Sequence, residues 1–207
     1  MEVKDRIKQK SDELFKRYGI KSITMDEIAN QLGISKKTIY HTFADKDELV
    51  DSVIGDLLIY TKDRCNMSRQ KASDAIHEIF LGMEMVQEMY ENMNPAILFD
   101  LERNHPQTFK KFLHYKNSYL FDLIKQNIQK GINEGLYRSD INPDIVAKVR
   151  LETMMLPFDQ EIFPKNKFNL ADLEKSLLEF YLFGIASIKG YKLILKYQQE
   201  RLKSIDK

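Results

Sequence analysis

The chain of 207 residues lacks most of what disulfide-built, membrane-spanning or disordered proteins require. It has a single cysteine, Cys65, so no intrachain disulfide can form, and a reducing compartment suits it. Tryptophan is absent, and glycine and proline number only eight and five, too few for a low-complexity or loop-dominated chain. Long apolar runs are missing. The most apolar stretch, Leu177 to Ile188, is interrupted by Glu179 and stopped by Lys189, too short to span a bilayer, so no membrane partner is expected. Met1 is followed by Glu2, Lys4, Asp5 and Arg6 rather than an apolar secretory segment, and the sequence reads as cytoplasmic. Charge of one sign is not in excess either. The 32 Lys and Arg against 31 Asp and Glu leave a net +1, which argues against a general nucleic-acid sponge.

Catalytic and metal-binding patterns are equally scarce. There is no phosphate-cradling glycine loop, no His-Glu-x-x-His and no cysteine pair. His41, His77, His105 and His114 are scattered, the last two nine residues apart, which is no ligand spacing. No enzyme activity, metal or cofactor is expected.

What the chain does have is helical periodicity. Hydrophobic residues make up 43% and charged residues 30%, ordinary for a globular protein, and the apolar positions recur at helical spacing, so an all-α fold follows. A first helix is expected from about Val3 to Tyr18, with Val3, Ile7, Ser11, Leu14 and Tyr18 on one stripe and Gly19 closing it. Thr24 and Glu27 form a capping box for a short helix over about 25–31. Gly33 breaks it, Ser35 caps the next, about 36–43, and Asp45 opens a longer one to about Cys65. Further helices are expected over about 72–92, 95–103, 106–133, 143–156 and 170–203, several opened by Asn94-Pro95, His105-Pro106 and Asn142-Pro143.

The two short helices carry the chemistry. Ala29 is small where a second helix must cross closely, and Gly33 permits the positive φ of a tight turn. Ile28, Leu32, Ile39 and Phe43 can lock the pair at a fixed angle, so the second helix enters a major groove as one rigid piece. Its remaining positions, Ser35, Lys36, Lys37, Thr38, Tyr40, His41 and Thr42, are donors and cations suited to phosphates and base edges. Residues 28–44 hold no carboxylate, and residues 4–21 hold seven basic residues against three acidic, so a basic footprint is compatible with a near-neutral total; charge alone is equally well explained by solvated helix faces.

On Ile7, Leu14, Phe15, Gly19, Ile23, Thr24, Ile28, Ala29, Leu32, Gly33, Ile34, Ser35, Lys37, Thr38, Ile39, Tyr40, Phe43, Lys46 and Leu49 the chain resembles the TetR family of bacterial repressors. The resemblance covers about residues 7–50. It implies an N-terminal three-helix helix-turn-helix domain (1–50) followed by a larger helical ligand-binding and dimerisation domain (51–207), about nine helices in all. The implied protein is a homodimer on a palindromic operator in double-stranded DNA, released by a small apolar or amphipathic molecule. The alternative is a DNA-bound regulator whose body recruits a protein partner and binds no small molecule. Carried over by position, Thr24, Thr38, Tyr40 and Lys46 are phosphate contacts, and Lys36, Lys37 and His41 fall where bases are read. Tyr40 can equally pack at the helix edge, and Lys46 can equally be a solvated lysine. Two departures stand out. Thr42 occupies a place where the family often has His or Tyr, and Lys8 and Ser11 stand where it often has an apolar residue and an alanine, which makes the first helix less buried.

In the body, Leu173, Leu177, Phe180, Gly184, Ile188, Tyr191 and Leu195 step by fours and threes as one seam, and the resemblance implies that it meets a second copy, with the counterpart face around Ala147, Leu151, Met154 and Met155. The seam can also pack within one subunit. Met85, Met89, Phe99, Phe112, Tyr115, Tyr119 and Met155 are candidates to line an effector pocket, though methionines and aromatics also simply fill cores. Gln87, Glu102, His105, His114 and Glu152 are candidates to orient a ligand.

Overall fold

The computed structural model describes residues 2–205, with side chains as far as Arg201. Among these residues the chain is all-helical: α1 (Val3–Tyr18), α2 (Met25–Leu32), α3 (Lys36–Thr42), α4 (Lys46–Lys71), α5 (Ala75–Tyr90), α6 (Ile97–Asn104), α7 (Pro106–Tyr115), α8 (Phe121–Asn133), α9 (Pro143–Thr153), α10 (Leu170–Ile185) and α11 (Ile188–Ile205). A π turn, Lys116–Leu120, joins α7 and α8 into one run, so the described chain has ten rods. A 3-10 turn follows α9 at Leu156–Phe158. No described helix is long and apolar enough to cross a membrane.

The caps explain where helices begin. Asn142 accepts from the amides of Asp144 and Ile145 ahead of α9, Asn169 does the same for Ala171 and Asp172 ahead of α10, and Asp74 for Ile76 and His77 ahead of α5. Asp45 Oδ1 accepts from Glu48 N–H at 2.8 Å while Glu48 Oε2 accepts from Ala44 N–H at 2.7 Å, a reciprocal clamp at the start of α4.

The residues fall into two compact units. The first comprises the chain to Lys62 together with Asn92–His114; the second comprises Asp63–Glu91 and Tyr115–Lys207. The first unit thus runs past residue 50, and side-chain chemistry explains why. Asp100 accepts from Lys21 N–H at 2.8 Å, Asn94 N–H donates to Lys16 O, buried His105 bonds Asp47, and Thr108 and Lys111 bond Asp51. These tie α6 and α7 to the N-terminal helices. The core of this unit is Ile7, Leu14, Phe15, Ile20, Ile23, Ile28, Ala29, Ile39, Phe43, Leu49 and Val50. Ser11 is wholly buried, contrary to the expectation of a less buried first helix, because its hydroxyl donates to Ile7 O at 2.7 Å and so needs no water. The ends of that stripe, Val3 and Tyr18, are exposed.

The second unit is built on Ala75, Ile76, Phe80, Met83, Leu136, Tyr137, Leu178, Leu182, Ile185 and Ile194. Inside it, Asn127 donates to Ala75 O and accepts from the Tyr137 hydroxyl, so these buried polar groups are matched.

The single helix expected over 170–203 is two helices. Ala186 is extended and pairs with Tyr137 as an antiparallel bridge, with Arg138 N–H donating to Ile185 O and Ser187 N–H to Leu136 O, both at 2.9 Å. Ser187 then caps α11 by accepting from Gly190 N–H. Gly190 is required here: a Cβ on it would sit 2.0 Å from the Leu136 carbonyl oxygen. The apolar seam is therefore two segments, one on each helix.

Candidate nucleic-acid interface

The turn between α2 and α3 follows from its hydrogen bonds. Gly33 is left-handed, at φ 63 and ψ 31, and its N–H reaches Asn30 O while Ile34 N–H reaches back to Ala29 O. This is a Schellman closure, which satisfies the last carbonyls of α2 and turns the chain sharply. No atom lies within 4 Å of a Cβ placed on Gly33, so the requirement is one of backbone conformation alone. Thr24 accepts from Glu27 N–H at 3.1 Å and Ser35 from Thr38 N–H at 3.1 Å, so both helices start on matched side-chain caps. Ile28, Ala29, Ile39 and Phe43 are buried beneath them.

The outward face of α3 matches the expected set, but its members are not equivalent. Ser35, Lys36, Lys37, Tyr40 and His41 are exposed, as is Thr24. Lys36 is tied to Asp26 at 2.5 Å, which raises its pKa through that hydrogen bond, and the other Asp26 oxygen, Oδ1, is buried with no protein partner. Ser35 and Thr38 hydroxyls bond each other at 2.8 Å, so the pair keeps one free hydroxyl proton for a phosphate rather than two. Thr42 donates its proton to Thr38 O at 2.9 Å, which leaves it nothing to give a phosphate in this arrangement. Lys46 is turned inward. It donates to Ile20 O at 2.6 Å and burial lowers its pKa, because the buried loop after α1 has a carbonyl that needs a donor. Asp26 and the Ile20 carbonyl are the partners that motif spacing did not reveal. Lys37, Tyr40 and His41 remain as the side chains that extend from the exposed edge of α3.

The candidate effector-lining residues are divided between the two units. Phe99 is 56% exposed in the first unit beneath Arg103, because the inward stripe of α6 is Ile97 and Leu101, on the other side of the helix. Phe112, in the same unit, stacks on Phe109. In the second unit Met85 is buried core and Met89 and Met155 are half-buried. Tyr115 and Tyr119 stack at 5.2 Å across the π turn, and the Tyr119 hydroxyl, pushed up to about 12 by burial, donates to Asn66. Burial likewise pushes the Cys65 thiol up to about 11, so it is a neutral thiol and no nucleophile.

The expected dimer face needs one correction of register. Leu151 and Ala147 are fully buried in the second unit's own core, and Met154 is half-buried past the end of α9. The exposed apolar side of α9 is Ile145 and Val149 instead. On α10 and α11 the exposed members are Phe180 (76%), Gly184, Ile188 (82%), Tyr191 and Leu195, with Leu173 and Leu177 half-buried.

Sequence reasoning missed a buried polar group in the second unit altogether. Arg150 bonds Glu174 deep inside it, and Arg150 Nη1, Glu174 Oε2 and the Tyr181 hydroxyl are buried with no hydrogen-bond partner in the protein. Each such group costs about 1–3 kcal/mol if nothing satisfies it. Residue type gave no signal, because Arg150 and Glu174 read as ordinary charges on helix faces.

Comparison with known proteins agrees with this geometry. Residues 9–53 match the family described as bacterial regulatory proteins, tetR family. Over this segment the chain is similar to the TetR family. The HTH-type transcriptional repressor KstR2 of Mycolicibacterium smegmatis is 21% identical over 192 residues, covering 91% of this chain and 93% of that one. Among solved structures, a TetR-family regulator from Agrobacterium tumefaciens superposes with a TM-score of 0.74 at 17% identity, over 89% of this chain and 97% of its own. The Thermus thermophilus TetR-family repressor FadR, solved with lauroyl-CoA, does so at a TM-score of 0.57 and 16% identity, over 89% of this chain and 95% of its own. The chain is accordingly a DNA-binding transcription regulator with a helix-turn-helix and a helical body, and the proteins it resembles are regulators rather than enzymes.

Proposed function

We propose that this chain is a TetR-family repressor that binds a palindromic operator as a homodimer through α3 and leaves it when a small molecule enters the second unit. The observation that carries the reading is the Gly33 closure. It fixes α3 against α2 with a buried apolar underside, while the outward edge from Ser35 to His41 carries hydroxyls and cations and no carboxylate. Lys37 and His41 are the base-reading candidates, with Thr24, Tyr40 and the Ser35–Thr38 hydroxyl pair on the phosphates. Lys36 joins them by exchanging Asp26 for DNA, and Lys46 only by giving up the Ile20 carbonyl.

Dimerisation is supported by the apolar side chains that α9, α10 and α11 leave in solvent, Ile145, Val149, Phe180, Ile188 and Tyr191. Such residues are expensive to leave wet, and a two-fold operator needs paired recognition helices about one DNA turn apart. A small-molecule effector is supported by the fold shared with FadR, whose structure holds lauroyl-CoA. In functional terms the division is residues 1–50 for DNA and 51–207 for ligand and dimer, with α6 and α7 packed into the DNA-binding unit.

The test is selection of bound fragments from random DNA by the full chain at low salt, with sedimentation in parallel. An inverted repeat bound by a dimer is expected. Enrichment of no sequence, or of a single unrepeated half-site by a monomer, overturns the reading.

A further inference from the structure

We infer that Arg150, Glu174 and Tyr181 form the polar anchor of the effector site, and that this anchor takes an uncharged ligand whose polar end both accepts and donates a hydrogen bond, such as an alcohol or a primary amide. The inference rests on the ligand-release reading above and names the chemistry of that ligand.

The argument begins with the ion pair. Arg150, on α9, is 5% exposed and Glu174, on α10, is 3% exposed. A guanidinium and a carboxylate ordinarily meet as a fork, with two parallel bonds. Here only Arg150 Nη2 to Glu174 Oε1 is made. Arg150 Nη1, a donor, and Glu174 Oε2, an acceptor, are both buried and have no protein partner. The Tyr181 hydroxyl is a third such atom, and its ring lies 5.6 Å from the guanidinium carbon. Native proteins rarely leave buried polar atoms unmatched, and three around one ion pair point to a group that matches them from outside the chain.

Charge and hydrogen-bond polarity then restrict that group. Arg150 and Glu174 together carry no net charge, so a carboxylate meets the Glu174 charge and an ammonium meets the Arg150 charge, each in a dry setting where repulsion is poorly screened. An alcohol oxygen can accept from Arg150 Nη1 and donate to Glu174 Oε2, and an amide does the same through its two atoms. The surroundings are apolar. Tyr90, the last residue of α5, feels both charges, has its pKa raised by burial, and packs edge-on against Phe158 at 5.3 Å. Burial also raises the Glu174 carboxyl, the neighbouring Arg150 charge opposing it, which marks the same dryness. A polar end on an apolar body fits.

Four probes with one eight-carbon chain test this on the full-length protein: 1-octanol, octanamide, octanoate and octyltrimethylammonium, titrated by calorimetry and thermal shift below micellar concentrations. The wild type is expected to bind the alcohol and amide about tenfold tighter than either ion. Glu174→Gln, which leaves Arg150 unopposed, moves the preference to octanoate, and Arg150→Gln moves it to octyltrimethylammonium. A merely structural ion pair predicts no such exchange of preference. Equal binding of all four, tighter binding of an ion by the wild type, no binding of any probe, or variants that keep the wild-type order each overturn the proposal. If a variant fails to fold, the order seen with the wild type decides alone. Release from the selected operator is scored separately. Probes that bind in the expected order without releasing DNA refute the release reading and leave the anchor standing. A ligand that releases DNA equally from wild type and Arg150→Gln refutes the anchor and leaves the release reading standing.

Discussion

The two units treat their buried polar side chains differently. In the DNA-binding unit Ser11, Asp100, His105 and Thr108 are all buried, and each has a partner within the unit: Ile7 O, Lys21 N–H, Asp47 and Asp51. In the second unit Asn127 and Lys116 are matched in the same way, but Arg150 and Glu174 each keep one atom that nothing in the protein meets. A part that must hold α3 at one angle gains from having such residues fixed internally, with the Oδ1 of half-buried Asp26 as the exception. On the proposed reading the second unit answers to a small molecule, and polar atoms left over suit that role.

That comparison can be attacked at several points, beginning with the largest effect. Phe43→Ala removes a fully buried ring beneath α3 and should cost about 3–5 kcal/mol in denaturant unfolding, with DNA binding lost. A small change would mean that the recognition helix is not held by this core. Arg150→Met strands a buried carboxylate and should also cost about 3–5 kcal/mol, whereas Arg150→Met combined with Glu174→Leu should return most of that stability. A double variant as unstable as the single one would show that packing, not charge, governs the site. Gly33→Ala should cost about 1 kcal/mol, since its Cβ touches nothing and only the left-handed backbone resists. The smallest effect concerns Lys46. With its ammonium on Ile20 O, Lys46→Met should leave the salt dependence of DNA binding unchanged, and a slope lower by about one unit would return Lys46 to the phosphate contacts.

Much of the DNA-binding unit was legible because its signals are local. Thr24, Gly33 and Ser35 each act on backbone within a few residues, and α1 falls on the expected Val3 to Tyr18. What escaped was long-range. The Asp100 and His105 contacts join residues far apart in sequence, and no spacing rule connects them to Lys21 or Asp47. The break after Ile185 escaped for a similar reason. The stepping from Leu173 to Leu195 is unbroken as a pattern, and the bridge to Tyr137 with the close approach at Gly190 overrides it. On α9 apolarity alone does not choose the face, because Ala147 and Leu151 are apolar just as Ile145 and Val149 are. Only burial separates the two sides.

The account stands on α3 reading bases through Lys37 and its neighbours on a rigid support. The most direct measurement repeats the random-DNA selection with Lys37→Ala beside the wild type at matched salt. Preference should relax by about 1–3 kcal/mol at particular symmetric positions of the repeat and persist at the others. An unchanged sequence preference, with affinity lowered evenly over all fragments, would contradict it.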